Sequence, residues 1–414
     1  ALTLLQESLE KQPASGEVQM HVGMVYYMME DEDLARLHLQ QALSSHDDFP
    51  GKAEARLCLD LLAIDPANAT PAQRQMLDSR LRNNPHDPVL LSRLAAIDEL
   101  HGDTDKAADA YQKLIAQDPQ NWNAMLKLAN LYSGPLHDTR KALDLAKSAH
   151  QVAPSDPHAS ATLGELVYTS GDYPWAVSLL EDAAPQLPNQ ADVHYYLAMA
   201  YYAVGRSADA DTAMNDVANS GASQPLVDQA KQFQAYRAAA KDPSHSPISS
   251  AQVKTVLDKD PHYLPALMLS GLLSEQQQDF KQAGQTYEQI LTEYPKFTPA
   301  MRQLALLYTW HSGDETRAYE LANKARADYP DDMELARTLG VLAYRNAEYS
   351  RSAQLLSDSA PQYDKDGELL YYLGMDYYKL KRPQDSKQAL RKALALNIPS
   401  TMADDAKKVI AELK

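Results

Sequence analysis

Two periods run through this 414-residue chain, one nested in the other. A unit of about 34 residues recurs almost end to end. Above it lies a longer period. Pro85, Pro119, Pro154 and Pro185 are matched by Pro261, Pro295, Pro330 and Pro361, each 176 positions later. The run Tyr195-Tyr196-Leu197-Ala198-Met199-Ala200-Tyr201-Tyr202 is matched by Tyr371-Tyr372-Leu373-Gly374-Met375-Asp376-Tyr377-Tyr378 at the same offset. A fixed period between roughly 20 and 50 residues marks a stack of identical supersecondary units, each too small to bury its apolar face alone. Such solenoids work through extended surfaces rather than catalytic pockets.

Length alone would suggest about two to four globular domains. The repeat overrides this, because each unit packs on its neighbours. Apolar residues make up 44% and charged residues 23% of the chain, the balance of a soluble folded protein. No apolar run reaches the roughly 18 residues needed to span a bilayer. The net charge of −17 argues against nucleic-acid binding, which calls for a basic face. Cys58 is the single cysteine, so no intrachain disulfide forms; it reads as a small buried apolar residue. Residues 1–13 read as the second helix of a unit whose first helix is missing, so the chain reads as an excised fragment.

The unit is clearest between Pro88 and Pro119. Leu91, Leu94, Ala95 and Asp98 lie at helical spacing, and Gly102-Asp103 breaks the helix. Ala107, Tyr111 and Leu114 then recur at i, i+4, i+7 in a second helix closed by Asp118-Pro119. Small residues repeat at Gly23, Ala95, Ala129, Gly164, Ala198, Gly271, Ala305, Gly340 and Gly374. A second small set is Ala35, Ala107, Ala142, Ala176, Ala210, Ala283, Ala318, Ser352 and Ser386. Antiparallel helices joined by a short turn approach within about 8–10 Å only where contact side chains are small. An aromatic residue recurs at Tyr26, Tyr132, Tyr201, Tyr308 and Tyr377.

This pattern closely resembles the tetratricopeptide repeat (TPR), over nine units and roughly four-fifths of the chain. The resemblance implies an all-α, right-handed α-solenoid of antiparallel helix pairs. Residues 1–15 read as the second helix of a truncated unit, and 16–50 as one repeat. Residues 51–85 and 223–262 read as degenerate repeats, 86–222 and 263–399 as four repeats each, and 400–414 as a C-terminal helix. Both degenerate stretches carry a first helix ending in Asp-Pro (Asp65-Pro66; Asp242-Pro243). Thr70-Pro71 or Ser246-Pro247 then opens a second helix. The longer period therefore holds five units, as a tandem duplication would leave them, and the degenerate units are expected to alter the local twist.

No catalytic constellation is visible. The 12 histidines are scattered, without an H-E-x-x-H spacing. G-x-S-x-G, a phosphate-binding glycine loop and a cysteine cluster are all missing. The reading is a non-enzyme without metal or cofactor.

Tyrosine outnumbers phenylalanine 24 to 4, a choice of the aromatic with a polar handle. Many of these are repeat-core residues, but the doubled ones cannot all face inward. Tyr195 and Tyr202, like Tyr371 and Tyr378, stand two turns apart on one helix face, and Tyr27 joins them. In the TPR family this face lines the concave groove, which makes these tyrosines candidate partner contacts. Lys127, Asn130, Arg302, Arg337 and Arg345 are candidates on the same argument, the arginines as a local basic patch. The Lys/Asn arrangement with which TPR co-chaperones clamp a peptide carboxylate is not reproduced in consecutive units.

The expected function is a protein-interaction scaffold that binds a peptide or protein, with no nucleic acid and no membrane insertion. The run from Ala146 to Tyr201 is similar in repeat style to exported bacterial TPR proteins of exopolysaccharide and envelope systems, which favours a periplasmic setting. The alternative is the regulatory region of a larger enzyme, such as a glycosyltransferase. The 176-residue period suggests two or more equivalent binding stations.

Overall fold

The computed structural model describes residues 2–45 and 48–413, and every regular element among them is helical. The chain divides into two compact bodies, Ala1–Leu166 and Val167–Lys414. The first holds α1 (Leu2–Lys11), α2 (Gly16–Met28), α3 (Glu32–Ser44), α4 (Lys52–Leu62) and α5 (Pro71–Asn83). It continues with α6 (Pro88–His101), α7 (Thr104–Gln117), α8 (Trp122–Ser133) and α9 (Thr139–Val152). The division falls within α10 (Pro157–Thr169). The second body begins with α11 (Tyr173–Ala183), α12 (Ala191–Ala203), α13 (Ser207–Asn219), α14 (Gln224–Lys241) and α15 (Ser250–Leu257). Next come α16 (Leu264–Gln276), α17 (Phe280–Glu293), α18 (Thr298–Leu307), α19 (Glu315–Asp328) and α20 (Met333–Arg345). It closes with α21 (Tyr349–Ser359), α22 (Gly367–Lys379), α23 (Pro383–Leu394) and α24 (Ser400–Glu412).

Each body is an all-α solenoid of antiparallel pairs, such as α2 with α3, α6 with α7, α12 with α13 and α22 with α23. The small-residue register decides which faces meet. Ala35, Ala107, Ala142, Ala176, Ala210, Ala283, Ala318, Ser352 and Ser386 are each 0% exposed. At Gly340 an added Cβ would lie 2.6 Å from Leu356 Cδ2 of the partner helix, closer than carbon atoms pack. Between paired helices the chain reverses through one residue with positive φ. In α6 this is Gly102, with Asp103 N–H bonded to the Asp98 carbonyl at 2.8 Å and Gly102 N–H to Glu99 at 3.1 Å. These are the closing bonds of a Schellman-type end.

The stretches 51–85 and 223–262 lack the small-residue crossing and pack differently. The main contacts of α4 are with α3, α2 and α6, and those of α5 with α6, rather than with each other. Likewise α14 packs on α13 and α16, and α15 on α16. Each has a short 3₁₀ turn between its helices, Pro66–Asn68 and Pro243–His245. Thr70 opens α5 through a reciprocal capping box with Gln73. The second copy departs from the sequence expectation. Ser246-Pro247 does not open α15; Ser249 does, through the same box with Gln252. Ser246 instead folds its hydroxyl onto the Ile248 N–H and carbonyl, at 3.0 and 2.9 Å. Only Ser249 has a glutamine three residues on, so it alone satisfies two end donors at once.

Candidate functional site

The second body contains a cleft of about 530 Å³ walled by tyrosines. Tyr168 comes from the last turn of α10 and Tyr173 from the first of α11, on either side of the Gly171 turn. One turn apart on α12, Tyr195 and Met199 form the floor. The segment Asp260–Leu264 leads into α16 and supplies Asp260, His262 and Tyr263. Out of α17 come Glu293, Tyr294 and Lys296. Local bonds hold both segments. Asp260 accepts the His262 N–H at 3.1 Å, and the Tyr294 N–H ends α17 on the Ile290 carbonyl at 2.7 Å.

The rings support one another in tilted and edge-to-face contacts. Tyr168 stands 5.5 Å from Tyr173 and 5.8 Å from Tyr196 between centroids, and Tyr195 lies 5.7 Å from Tyr196. Tyr263 leans on Tyr236 at 5.6 Å. Burial pushes the Tyr173 hydroxyl up to about 12 and raises Tyr168 and Tyr263 as well. Tyr195 is raised by burial and by the Asp260 charge, Tyr294 by burial and by its bond to Glu293. All five stay neutral at physiological pH and offer hydroxyl donors beside π faces. The Tyr263 hydroxyl oxygen is buried without a hydrogen-bonding protein partner. His262 pairs with Glu293, and Lys296 lies 3.8 Å from Asp172. The cleft can therefore hold a polar, aromatic-seeking group of positive or neutral charge.

Only Tyr195 among the sequence-selected residues belongs to this cleft. Tyr27 and Tyr202 are 1% and 2% exposed. Tyr27 donates to Asp87 at 3.1 Å, which itself caps α6. Tyr202 is wedged between Phe233 at 5.3 Å and Phe297 at 5.2 Å, with the Arg237 guanidinium over its face at 5.0 Å. Tyr371 is 6% exposed and packs on Tyr372. Tyr378 is half-buried and donates to Glu412 at 2.7 Å. The matched tyrosines thus occupy different environments.

Nor do the arginines form a basic patch. Arg302 binds Asp332 at 2.5 Å and Glu334 at 2.8 Å. Arg337 stacks on Trp310 at 4.0 Å and pairs with Asp366 at 2.5 Å. Arg345 pairs with Glu315 at 2.6 Å and reaches the Tyr372 hydroxyl at 3.3 Å. Since Asp332 and Asp366 cap α20 and α22, two of these cations tie one helix pair to the next. Lys127 and Asn130 are exposed on α8 of the first body.

Sequence reading missed Tyr168, Tyr173, Tyr263 and Tyr294. A signal was present: Tyr263 and Tyr294 stand where the first copy has Asp87 and Asp118, 176 positions earlier. Also missed was Asp376, which is 0% exposed and stands where α12 has Ala200. Burial pushes its carboxyl up to about 7 despite a 2.5 Å bond from Ser352, and its second oxygen has no partner. Cys58 is buried, its thiol pushed up to about 12 chiefly by burial, as suits an inert packing residue. Among the described residues no helix is long and apolar enough to cross a membrane, and no acidic, His or Cys group is arranged for a metal ion.

Antiparallel pairs crossing on small residues and stacked along the chain define a helical-repeat interaction protein. Tetratricopeptide-repeat family models match residues 101–132, 265–296 and 367–398. These stretches are tetratricopeptide repeats, units whose arrays serve as protein-interaction scaffolds. A search of curated proteins finds no match. Among solved structures, the chain is similar to YrrB, described as a TPR protein with an unusual peptide-binding site. The identity is 13%, covering 56% of this chain and 100% of that one, with a TM-score of 0.32. It is also similar to two structures of MamA. One is 19% identical over 49% of this chain and 95% of that one, with a TM-score of 0.28. The other is 18% identical over 50% and 92%, with a TM-score of 0.29. Likenesses of this size carry no argument about a ligand.

Proposed function

We propose that this chain is a non-catalytic scaffold whose second body takes a peptide segment of a protein partner in the tyrosine cleft. The observation that carries the reading is the convergence of five tyrosines from four chain segments on one cavity of about 530 Å³. That size falls in the range of ligand sites, roughly 300–1,000 Å³. Tyrosine supplies large contact area at small entropic cost, which suits recognition. Of the residues selected from sequence, Tyr195 is retained for this site.

Peptide display on the intact chain and on Tyr195→Ala and Tyr294→Ala variants tests the reading. Peptides enriched by the parent and lost by both variants are expected. Enrichment indifferent to both substitutions would refute the cleft. The pathway we propose, exopolysaccharide secretion or envelope assembly, rests on the repeat style of Ala146 to Tyr201. Fractionation of the source cells tests it, and recovery from the cytosol alone would end it.

A further inference from the structure

The second body uses one polar device again and again: an arginine held between a tyrosine ring and a carboxylate. Arg206 lies 4.3 Å over Tyr201 and binds Glu181 at 2.7 Å. Arg382 lies 4.3 Å over Tyr377 and binds Asp385 at 2.8 Å. Arg237 sits over Tyr202 with Asp211, and Arg345 over Tyr372 with Glu315. Arg351 bonds the Tyr319 hydroxyl at 2.8 Å beside Glu348, and Arg337 lies over Trp310 and Tyr363 with Asp366. The guanidinium suits this setting: it is planar, always charged and weakly hydrated, so it stacks on a ring while its edge meets an acid.

The cleft repeats the two fixed parts of that device and lacks the third. Tyr195 stands close enough to Asp260 for the carboxylate to raise its hydroxyl, and Tyr294 is bonded to Glu293. No arginine is among the residues lining the cavity. Its one lysine is set against Asp172 and its histidine against Glu293, so neither offsets Asp260. The carboxyl of Asp260 accepts a backbone N–H of its own turn and is exposed.

We propose that the cleft receives an arginine side chain from the partner peptide. The guanidinium stacks against Tyr195 and Tyr263 and is neutralised by Asp260. This rests on the reading of the cleft as a peptide site, and the test separates the two. The probes are fluorescein-labelled nonapeptides of glycine and serine with arginine, lysine, citrulline, tryptophan or glutamate at the centre, followed by anisotropy. Citrulline keeps the shape and removes the charge. The arginine peptide is expected to bind about 10-fold more tightly than the citrulline and glutamate peptides, with lysine between. Asp260→Asn should weaken the arginine peptide about 5-fold and leave the tryptophan peptide unchanged. Tyr195→Phe, which keeps the ring, should retain most arginine binding, whereas Tyr195→Ala should lose it. Equal binding of citrulline and arginine, abolished by Tyr195→Ala, would overturn the arginine assignment and leave the peptide site standing. Binding of no peptide, or binding insensitive to Tyr195→Ala, would overturn both.

Discussion

Helices α12 and α22 carry the same Tyr-Tyr-Leu-x-Met-x-Tyr-Tyr run, 176 residues apart, and bury opposite ends of it. On α12 the last tyrosine, Tyr202, is 2% exposed while Tyr195 opens onto the cleft. On α22 it is the first, Tyr371, that is buried at 6%, while Tyr378 is half-exposed and meets Glu412. The helices are copies; what lies over them is not. Phe233 of α14 and Phe297 ahead of α18 close over Tyr202. Over α22 lies α24, whose Asp405 bonds Tyr371 and whose Glu412 reaches Tyr378. A repeat thus fixes the scaffold and leaves the surface chemistry to elements arriving from further along the chain.

The largest expected effect tests this difference directly. Tyr202→Ala removes a ring enclosed by two phenylalanines and should cost about 4 kcal/mol. Denaturant unfolding would measure it. A cost below about 1 kcal/mol would show that the aromatic wedge is not what closes α12.

The second test uses the one charged difference between the runs, Asp376 against Ala200. The Asp376 carboxyl is raised from 3.8 to about 7, first by burial. The folded state therefore holds its proton over a range in which the unfolded chain has lost it. Stability from this group is full below about pH 4 and is lost as pH rises through about 7. The shift corresponds to about 4 kcal/mol at most, and relaxation of the site should leave about 2–3. Asp376→Asn should recover that amount at pH 8 and flatten the profile between pH 4 and 7. Melting curves across that range would decide it, and a variant as pH-dependent as the parent would place the titration elsewhere.

How much of this was legible depends on how local each cause is. The small-residue pairs, such as Gly374 with Ser386, declared themselves because close helix crossing is a property of one unit. The arginine ties were half visible: Arg302 to Asp332 and Arg337 to Asp366 each run from the first helix of one unit to the cap of the next unit's first helix. The cleft was not visible, because Tyr168 and Tyr294 meet across three helix pairs and one irregular stretch. Its trace was the exchange of Asp118 for Tyr294 between copies, which periodicity treats as noise. Turn residues are hard to read for the opposite reason. Glycine adopts positive φ most easily, yet Gln278, Ala347 and Lys381 take it at the reversal, held by the helix ends.

That last point gives a smaller test within the same pair of helices. Gly205 after α12 and Lys381 after α22 are matched turn residues with φ of +79° and +58°. At Gly205 a Cβ would lie 2.2 Å from Tyr329 Cζ, whereas Lys381 carries its side chain at the equivalent place. Gly205→Ala should cost about 1–2 kcal/mol, from the left-handed backbone and from displacing the tyrosine tip. Lys381→Gly should be neutral or slightly stabilising by thermal melting. Equal costs at both turns would mean that Tyr329 does not distinguish them.

The smallest effect is expected at Tyr378, and the smallness is itself the claim. Its hydroxyl bond to Glu412 lies at the surface, and solvent competes for both groups. Tyr378→Phe keeps the ring and removes only that bond, so its unfolding midpoint should stay at the parent's. Tyr378→Ala should cost several-fold less than Tyr202→Ala, although the two residues are identical and occupy the same place in the repeat. A matched pair of denaturation curves would measure the ratio. If the two alanine variants lose equal stability, position in the repeat governs burial after all. If they differ as expected, the longer period records descent, and the energetics belong to whatever closes over each copy.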